Sequence, residues 1–280
     1  MITENVSVNL FTLFLEIQSL HDALYNQNGT AALLPVLTSF QSLIDPNFKK
    51  GVQQDASEFL LHLLDLICDK PDWGTSTQVF TCANCQEKSY SMAEKFLDFQ
   101  LPIENSDRKC ANLLESLRLF TIEEKMESQR ECPKCNQKAD YKKSMKVEKF
   151  PKVLILCKIF HFESLHSFIH LFIALNRFEY CMQSGQSKKI TVPVNFPEES
   201  REIFEILKCD DAASDDTISY SLQAVVHHYG ASLDRGHYTA SIKTGTDSWH
   251  TFNDDSVNPV ESHQFSVENS SPYILMYVRK

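Results

Sequence analysis

The sequence is poor in basic residues. Its 280 residues include 27 Lys and Arg against 37 Asp and Glu, which gives a formal net charge of -10. Because affinity for nucleic acid rests largely on clustered Lys and Arg, this balance argues against a nucleic-acid ligand. An acidic surface suits a basic protein partner better.

Signals for export or membrane insertion are also missing. No cationic region precedes the short apolar run Leu10 to Leu15, which argues against a secretory signal. The apolar stretch 158–174 is short for a membrane span and contains Glu163. The nine cysteines, four of them in two C-x-x-C pairs, favour metal binding in a reducing compartment over a disulfide framework. We therefore expect an intracellular protein of the cytoplasm or nucleus that does not enter a membrane.

Apolar residues follow a helical spacing in one part of the chain and a strand-like spacing in another, and no internal repeat is present. Residues 10–70 carry apolar residues at helical spacing, which predicts three helices, and Leu113 to Thr121 predicts another. Short β-branched or alternating runs predict strands at Val79–Thr81, Phe96–Leu101, Val153–Leu156, Ile190–Val194 and Tyr220–Val226. With 42% apolar residues the chain can bury a core as one elaborate domain or two packed lobes. The pattern predicts an α+β fold.

The two C-x-x-C pairs form the first candidate site. Each pair places two thiolates on one tight turn, and two such turns close a tetrahedral sulfur site that suits zinc. The alternative is a set of ordinary buried or redox cysteines. With four thiolates the coordination sphere is closed, so we predict a structural zinc ion and no catalytic metal. The ligands would be Cys82, Cys85, Cys132 and Cys135.

A second candidate site surrounds His237. Gly236 precedes this histidine, and Tyr238 begins a run that predicts a strand. Trp249 to Phe252 predicts the hairpin partner of that strand and ends at Asn253. Pairing of the two strands would bring either the Asn253 amide or the Asp254 carboxylate to the ring of His237. This is how a general base and its orienting partner are delivered to a nucleophile, usually a cysteine or serine.

Several motifs in order along the chain resemble the ubiquitin-specific proteases, which are papain-like cysteine deubiquitinases. The two C-x-x-C pairs match the zinc ribbon of that family, and Gly236-His237-Tyr238 matches its His box. Further matches cover nearly the whole chain: Gly51–Leu60 with the QQDA box, Phe150–Leu156 and Asn176–Tyr180 with two halves of a strand motif, Tyr220–Val226, His228-x-Gly230 and Phe252–Asp254 with the His box, and Tyr273–Tyr277 with the last strand.

The resemblance implies a papain-like fold with three parts. Residues 1–74 would be thumb helices, 75–150 fingers with the zinc ribbon, and 151–280 the remaining fingers and the palm. It also implies that His237 is the general base, Asn253 the third member of the triad and Asp254 the acidic residue beside it. The implied partner is ubiquitin or a ubiquitinated protein.

The family's nucleophile has no counterpart in the sequence. No cysteine occurs before Cys68, and alignment with the family's first motif puts the nucleophile position near Glu4. A carboxylate cannot replace a thiolate in acyl transfer, and loss of a nucleophile commonly costs on the order of a millionfold in rate. We therefore expect this chain alone not to hydrolyse ubiquitin conjugates.

An apparent insertion is the second departure. Joining Cys157 to Leu175 would give one continuous family-like strand, which residues 158–174 interrupt. We expect such an apolar insert to break a ladder that the palm needs, and we interpret it as translated intron or a splice variant.

The remaining candidate site residues are Gln54, Asp55, Arg235 and Tyr238. Gln54 and Asp55 have two open interpretations, a helix N-terminal cap or a contact to ubiquitin or between thumb and palm. The resemblance implies that Arg235, where the family often has glycine, and Tyr238 contact the substrate. For the whole chain three hypotheses stay open: an incomplete protease, a ubiquitin-binding pseudoenzyme, or a zinc-ribbon structural module.

Overall fold

The structure is a computed structural model that describes residues 53–67, 74–96, 98–105, 108–109, 112–150, 170–182, 186–208, 218–232, 235–243, 248–254, 256–261 and 271–280. The helices of this part are α1 (Ala56–Ile67), α2 (Leu113–Thr121) and α3 (Glu202–Leu207). The strands are β1 (Gly74–Cys82), β2 (Lys88–Tyr90), β3 (Glu94–Phe96), β4 (Asp98–Pro102), β5 (Glu104–Asn105), β6 (Arg108–Lys109), β7 (Glu124–Lys125), β8 (Arg130–Glu131), β9 (Lys138–Ala139), β10 (Tyr141–Lys149), β11 (His170–Asn176), β12 (Phe178–Cys181), β13 (Gln186–Lys189), β14 (Glu199–Ser200), β15 (Tyr220–Ser232), β16 (Arg235–Lys243), β17 (Trp249–Asn253), β18 (Ser256–Val260) and β19 (Pro272–Arg279).

The larger sheet, which we call the palm sheet, has the strand order β18-β17-β16-β15-β19-β11-β4, with β14 on β15. Its pairs are antiparallel except for β11 and β4, which run parallel. β15 buries Tyr220, Leu222 and Val225, and β19 buries a run from Pro272 to Leu275. These strands form the main apolar core together with Trp249 of β17. Burial of large apolar side chains on neighbouring strands is what holds a sheet of this size together.

The smaller sheet, which we call the finger sheet, has the order β2-β1-β10-β7, with β3 also on β1. Its long strands β1 and β10 pair antiparallel from Thr75 with Lys149 to Cys82 with Tyr141. The cysteine turns follow at the Cys82–Tyr141 end. The expected fingers, residues 75–150, also contain β4, which the structure places in the palm sheet.

Helix α2 confirms the helix predicted over Leu113 to Thr121. Asn112 begins it, since its side chain accepts a hydrogen bond from the Leu114 N–H at 2.8 Å. Leu113 and Leu117 are fully buried in the main core, where α2 packs near α3 and β4. Helix α1 confirms the third N-terminal helix. No helix in the described ranges has the length and apolar character needed to span a bilayer.

The strand predicted over Ile190–Val194 is wrong. This segment lies outside every strand, although Ile190 and Val194 are buried. Its carbonyl groups bond to a side chain and not to a neighbouring strand, because the Arg177 guanidinium donates to the Ile190 oxygen at 3.1 Å and the Val192 oxygen at 2.9 Å. Pro193, which has no N–H, could not have completed a ladder.

The expectation that the apparent insert breaks the palm ladder is also wrong. Residues 170–174 belong to β11, where Ile173 pairs with Leu275 of β19 on one side and with Phe99 of β4 on the other. Phe172, Ile173 and Ala174 are buried, so the insert's last residues supply the apolar strand. The origin of the insert stays a hypothesis. Residues 158–169, the first two N-terminal helices and the strand at Val153–Leu156 lie outside the described residues.

Candidate active site on the palm sheet and cysteine cluster of the fingers

The first site is built on the β16–β17 hairpin. Its antiparallel register pairs Ala240 with Phe252, which sets Asn253 diagonal to His237. Diagonal neighbours on one face of an antiparallel pair are close enough for long side chains to touch. The expected hairpin, with Trp249 at its start and Asn253 at its end, is confirmed.

Asn253, rather than Asp254, is the direct partner of His237. The distance from His237 Nε2 to Asn253 Oδ1 is 2.6 Å, within hydrogen-bond range. Asp254 Oδ2 lies 3.9 Å from the same nitrogen, and the Asp254 side chain is 78% exposed. Asp254 occupies the turn after β17 with φ of 47°, a left-handed conformation that Asp tolerates better than most residues. Asp254 therefore contributes a negative charge near the imidazole, which solvent largely screens.

This hydrogen bond sets the chemistry of the imidazole. An amide oxygen only accepts, so His237 Nε2 must carry the proton. In the neutral ring Nδ1 is then the unprotonated nitrogen, and no described residue hydrogen-bonds to it. The geometry therefore presents a base with a fixed tautomer and an open nitrogen, which is the arrangement that activates an adjacent thiol or hydroxyl.

The glycine before His237 is required by packing. A Cβ on Gly236 would lie 2.2 Å from His228 Nε2 and 2.7 Å from the Tyr229 carbonyl oxygen. Both distances are far below van der Waals contact, so only glycine fits against β15 here. The backbone of β16 thereby approaches the core closely, with His237 on the exposed edge.

Asp55 connects the start of α1 with the palm. Its Oδ1 accepts hydrogen bonds from the N–H groups of Ser57 at 2.7 Å and Glu58 at 3.2 Å, which makes it the helix cap. Its Oδ2 accepts from the Tyr273 hydroxyl on β19 at 2.5 Å. Gln53 Nε2 also donates to the Gly236 carbonyl at 3.2 Å. Asp55 therefore caps helix α1 and at the same time contacts the palm sheet.

The other predicted site residues lie around this point. Gln54 precedes Asp55 and is half-buried, and Arg235 is exposed at the first position of β16. Tyr238 is half-buried with its ring 4.8 Å from that of His228, and burial raises the pKa of Tyr238 to about 12.

The four C-x-x-C cysteines come together as one cluster, which we call the cysteine cluster. All four Sγ atoms lie within 4.8 Å of one another, and Cys85 Sγ is 3.6 Å from Cys132 Sγ. A tetrahedral zinc site with Zn–S bonds of about 2.3 Å has S···S edges of roughly 3.8 Å. The spacing of the thiols therefore fits a metal ion.

The two turns of the cluster have the same backbone structure. In the first, the Cys82 N–H donates to the Glu87 carbonyl and the Gln86 N–H donates to the Cys82 carbonyl. The Cys132, Gln137 and Asn136 groups repeat this pattern in the second. Gln86 and Asn136 both have positive φ, 59° and 52°, which tightens each turn around its thiols. The two turns therefore present their four sulfurs to one another with matching backbone geometry.

A buried tyrosine and an ion pair support the cluster. Hydrogen bonding from the Tyr141 side chain lowers the pKa of Cys132 to about 6, whereas the pKa values of Cys85 and Cys135 are raised, with burial among the causes. Without a metal, the thiolate form is therefore favoured at Cys132 and disfavoured at Cys85 and Cys135. Lys134 of the second turn pairs with Glu87 after the first. All four thiols are half-buried or buried, and they form their own small core with Ala139 and Tyr141.

Two buried cations near the site have no local signal in the sequence. Arg177 is fully buried, and its Nε donates to the Pro272 carbonyl at 2.5 Å in addition to the two carbonyls above. Lys189 Nζ donates to the His228 carbonyl at 2.5 Å, and burial, followed by the nearby Arg177, lowers the pKa of Lys189 to about 8. Their targets are backbone carbonyls far along the chain, which no local pattern reveals.

Fold and site define the class: an α+β protein of the papain-like kind, in which a strand-borne histidine is oriented by an asparagine and a four-cysteine ribbon lies on a separate sheet. The sequence matches the family described as ubiquitin carboxyl-terminal hydrolase over residues 2–277. This chain belongs to that family, and within it to the ubiquitin-specific proteases.

Individual relatives agree with the family match. The chain is 34% identical over 208 residues to ubiquitin carboxyl-terminal hydrolase 21 of Bos taurus, covering 71% of this chain and 32% of the relative. It is 32% identical over 202 residues to ubiquitin carboxyl-terminal hydrolase 2 of Homo sapiens, covering 70% of this chain and 29% of the relative. The chain therefore spans about a third of the length of these curated relatives.

Among solved structures, the fold is similar to that of the SAGA Ubp8/Sgf11/Sus1/Sgf73 DUB module bound to ubiquitin aldehyde. The TM-score is 0.71 at 23% identity, over 89% of this chain and 54% of the other.

Proposed function

We propose that this chain is part of a deubiquitinase that cleaves ubiquitin from conjugates by thiol chemistry. The observation that carries the proposal is the 2.6 Å bond between His237 Nε2 and Asn253 Oδ1, which leaves Nδ1 unprotonated. The family membership supplies the substrate class, because relatives named ubiquitin carboxyl-terminal hydrolase share a third of their aligned residues with this chain.

The proposed reaction assigns each group one role. His237 Nδ1 takes the proton of a thiol, and the thiolate attacks the carbonyl carbon of the bond joining ubiquitin to a lysine. His237 then returns the proton to the leaving amine, and a water molecule hydrolyses the acyl-enzyme by the same base. Asn253 holds the ring in one tautomer and orientation throughout. Asp254 adds a negative charge that favours the transient imidazolium.

The nucleophilic thiol is the missing part of this reaction. No cysteine precedes Cys68 in the sequence, and the four thiols that the structure describes all belong to the cysteine cluster. We infer that this chain alone does not turn over ubiquitin conjugates.

Ubiquitin is the proposed partner and zinc the proposed metal. The solved structure with the similar fold is one bound to ubiquitin aldehyde, which supports a ubiquitin-binding face. We propose that the cysteine cluster holds one structural zinc ion, which would lock the two turns together without taking part in the reaction. We propose Gln54, Asp55, Arg235 and Tyr238 as substrate contacts. Their closeness to the base supports this, since Gln53 connects the start of α1 to the strand of His237.

A pseudoenzyme that only binds ubiquitin is the second candidate. It would need the ubiquitin-binding face but not an oriented base. The His237–Asn253 bond therefore supports the first proposal, since a binding module has no use for a fixed tautomer.

A fluorogenic ubiquitin substrate tests the inactivity of the chain. Purified zinc-loaded chain is compared with its His237→Ala variant, prepared in parallel. We expect no turnover above the variant. Turnover that disappears in His237→Ala would show that the chain contains its own nucleophile and would overturn the inference. Turnover equal in both preparations would identify a contaminating enzyme.

A further inference from the structure

A buried histidine beside the site has no part in the reaction above. His228 lies on β15 directly opposite Tyr238 of β16, one position from His237. It is fully buried, and neither ring nitrogen has a hydrogen-bond partner among the described residues. An unpaired buried polar group is costly, so a histidine kept in this position needs a reason.

The ring of His228 occupies the place of a side chain at position 236. A Cβ on Gly236 would lie 2.2 Å from His228 Nε2 and 2.8 Å from its Cε1. The outer edge of the imidazole therefore rests against the backbone immediately before His237. Any sideways movement of Gly236 toward β15 meets this edge.

Neighbours on several elements hold the ring in place. Phe178 contacts it edge-on at 5.2 Å between centroids, and Tyr238 at 4.8 Å. The backbone is fixed as well, because the His228 N–H donates to the Ser271 carbonyl at 2.8 Å and its carbonyl accepts from Lys189 at 2.5 Å. The ring thus acts as a rigid stop and not as a mobile side chain.

The surroundings keep this imidazole neutral. Burial, with the Lys189 ammonium, lowers the pKa of His228 to about 4, against a weaker opposing effect of the Asp55 carboxylate. A neutral ring can bear on the backbone without a counterion, whereas a charged one would need a partner that the cavity does not offer.

We propose that His228 is a positioning residue for the base: its ring supports the Gly236 backbone and thereby aims His237 Nε2 at Asn253 Oδ1. The proposal rests on the proposed role of His237 as a base. It concerns the hydrogen bond that orients that base, which forms in the chain whether or not ubiquitin is bound or a thiol is present.

The tautomer of His237 tests the proposal. In full-length chain with ¹⁵N-labelled histidine, the ring-nitrogen shifts report the ratio of the Nε2–H to the Nδ1–H form. We expect His228→Ala to lower the Nε2–H preference of His237 by about fivefold, the change expected for loss of one neutral hydrogen bond. His228→Gln, which restores a neutral planar group of similar reach, should return the ratio most of the way. Asn253→Ala, which removes the acceptor directly, gives the shift of a fully released ring.

Two outcomes overturn the proposal. One is a folded His228→Ala chain with the wild-type ratio, which would make His228 a packing residue only. Should His228→Ala fail to fold, Gly236→Ala displaces the same backbone from the other side, and an unchanged His237 ratio there is the second. A shifted ratio with no ubiquitin binding would support the positioning role while rejecting the proposed function.

Discussion

The palm site and the cysteine cluster reach their geometry in opposite ways. The cluster draws its four thiols from two short turns with the same hydrogen bonds, and its small core contains only four buried residues. The palm site stands on a sheet of eight strands above the main core, and its contacts join residues as far apart as Asp55 and Tyr273. A closed set of ligands suits a structural ion, whereas an exposed imidazole with one open nitrogen suits chemistry. With the proposed zinc ion bound, we expect the ribbon to depend on that metal and the palm on its apolar burial.

The largest effect is expected when one thiolate of the cysteine cluster is removed, because this change should affect the fingers and leave the palm intact. Cys132→Ser should abolish stoichiometric zinc binding, because three thiolates and a hydroxyl no longer close the sphere. Amide exchange should rise steeply at the strands next to the cluster, 79–82 and 138–142, and stay unchanged across β15 and β16. Metal analysis and hydrogen exchange measure both, with Ser89→Ala, at an exposed position of β2, as the control. Equal loss of protection in the palm would show that the two regions are one cooperative unit.

As the pH falls, the palm should lose stability before its carboxylates begin to be protonated. Burial lowers the pKa of His227 to about 4, from the ordinary value of 6.5, because its ring is enclosed between Ser271 and Ser241. The unfolded chain then binds a proton that the folded chain does not. Stability is therefore full above pH 6.5 and falls as the pH drops toward 4, by up to about 1.4 kcal/mol per pH unit for each of the two buried histidines, His227 and His228, whose pKa values are both lowered to about 4.

Urea unfolding between pH 7 and pH 5 measures this slope. His227→Gln, which can still bond to both serines, should reduce it by about half, because His228 keeps its own share, and His250→Gln, on the half-exposed His250, should leave it unchanged. An undiminished slope in His227→Gln would contradict the assignment.

A side chain at position 236 should damage the palm site alone. Gly236→Ala places a methyl group 2.2 Å from the His228 ring and 2.7 Å from a backbone oxygen. Overpacking of this kind costs about 1–3 kcal/mol. Urea unfolding gives the loss, and His237→Ala at the adjacent exposed position is the control, expected to change stability little. Unaltered stability in Gly236→Ala would mean that β15 and β16 can separate freely.

The smallest expected effect is at the ribbon. The Lys134–Glu87 pair links the two cysteine turns, but its side chains are 61% and 41% exposed. Solvent-exposed ion pairs contribute little and are screened by salt. Lys134→Ala should leave zinc affinity within a factor of two or three in a chelator competition at 0.15 M salt. A tenfold loss would show that the ion pair, and not only the thiols, holds the turns together.

The comparison also explains which features the sequence could predict. Cys82 to Cys135 were found as a cluster because C-x-x-C spacing is local and each turn is self-contained. The His237 hairpin was found because its strands are adjacent along the chain. Strand pairing alone leaves Asn253 and Asp254 open as the partner of His237, whereas the resemblance implies Asn253. The left-handed turn at Asp254, with that carboxylate 3.9 Å from His237, distinguishes the two.

The incorrect predictions share one physical cause, which is that contacts outside the segment decide its structure. Ile190–Val194 has the composition of a strand, but a side chain 13 residues away takes its carbonyl groups. Residues 170–174 interrupt the family's strand motif, yet they have the apolar pattern that the palm requires, so they fill β11 themselves. Arg177 and Lys189 act through carbonyl groups far along the chain, which periodicity does not record.

Ubiquitin binding by the zinc-loaded chain tests the central claim most directly. Isothermal titration calorimetry should be run with ubiquitin on chain whose zinc content is one per molecule and whose palm amides are protected from exchange. We predict saturable binding of one ubiquitin per chain, with no cleavage of a conjugate in the same preparation. A folded, zinc-loaded chain that releases no heat and shows no spectral change with ubiquitin would contradict the account.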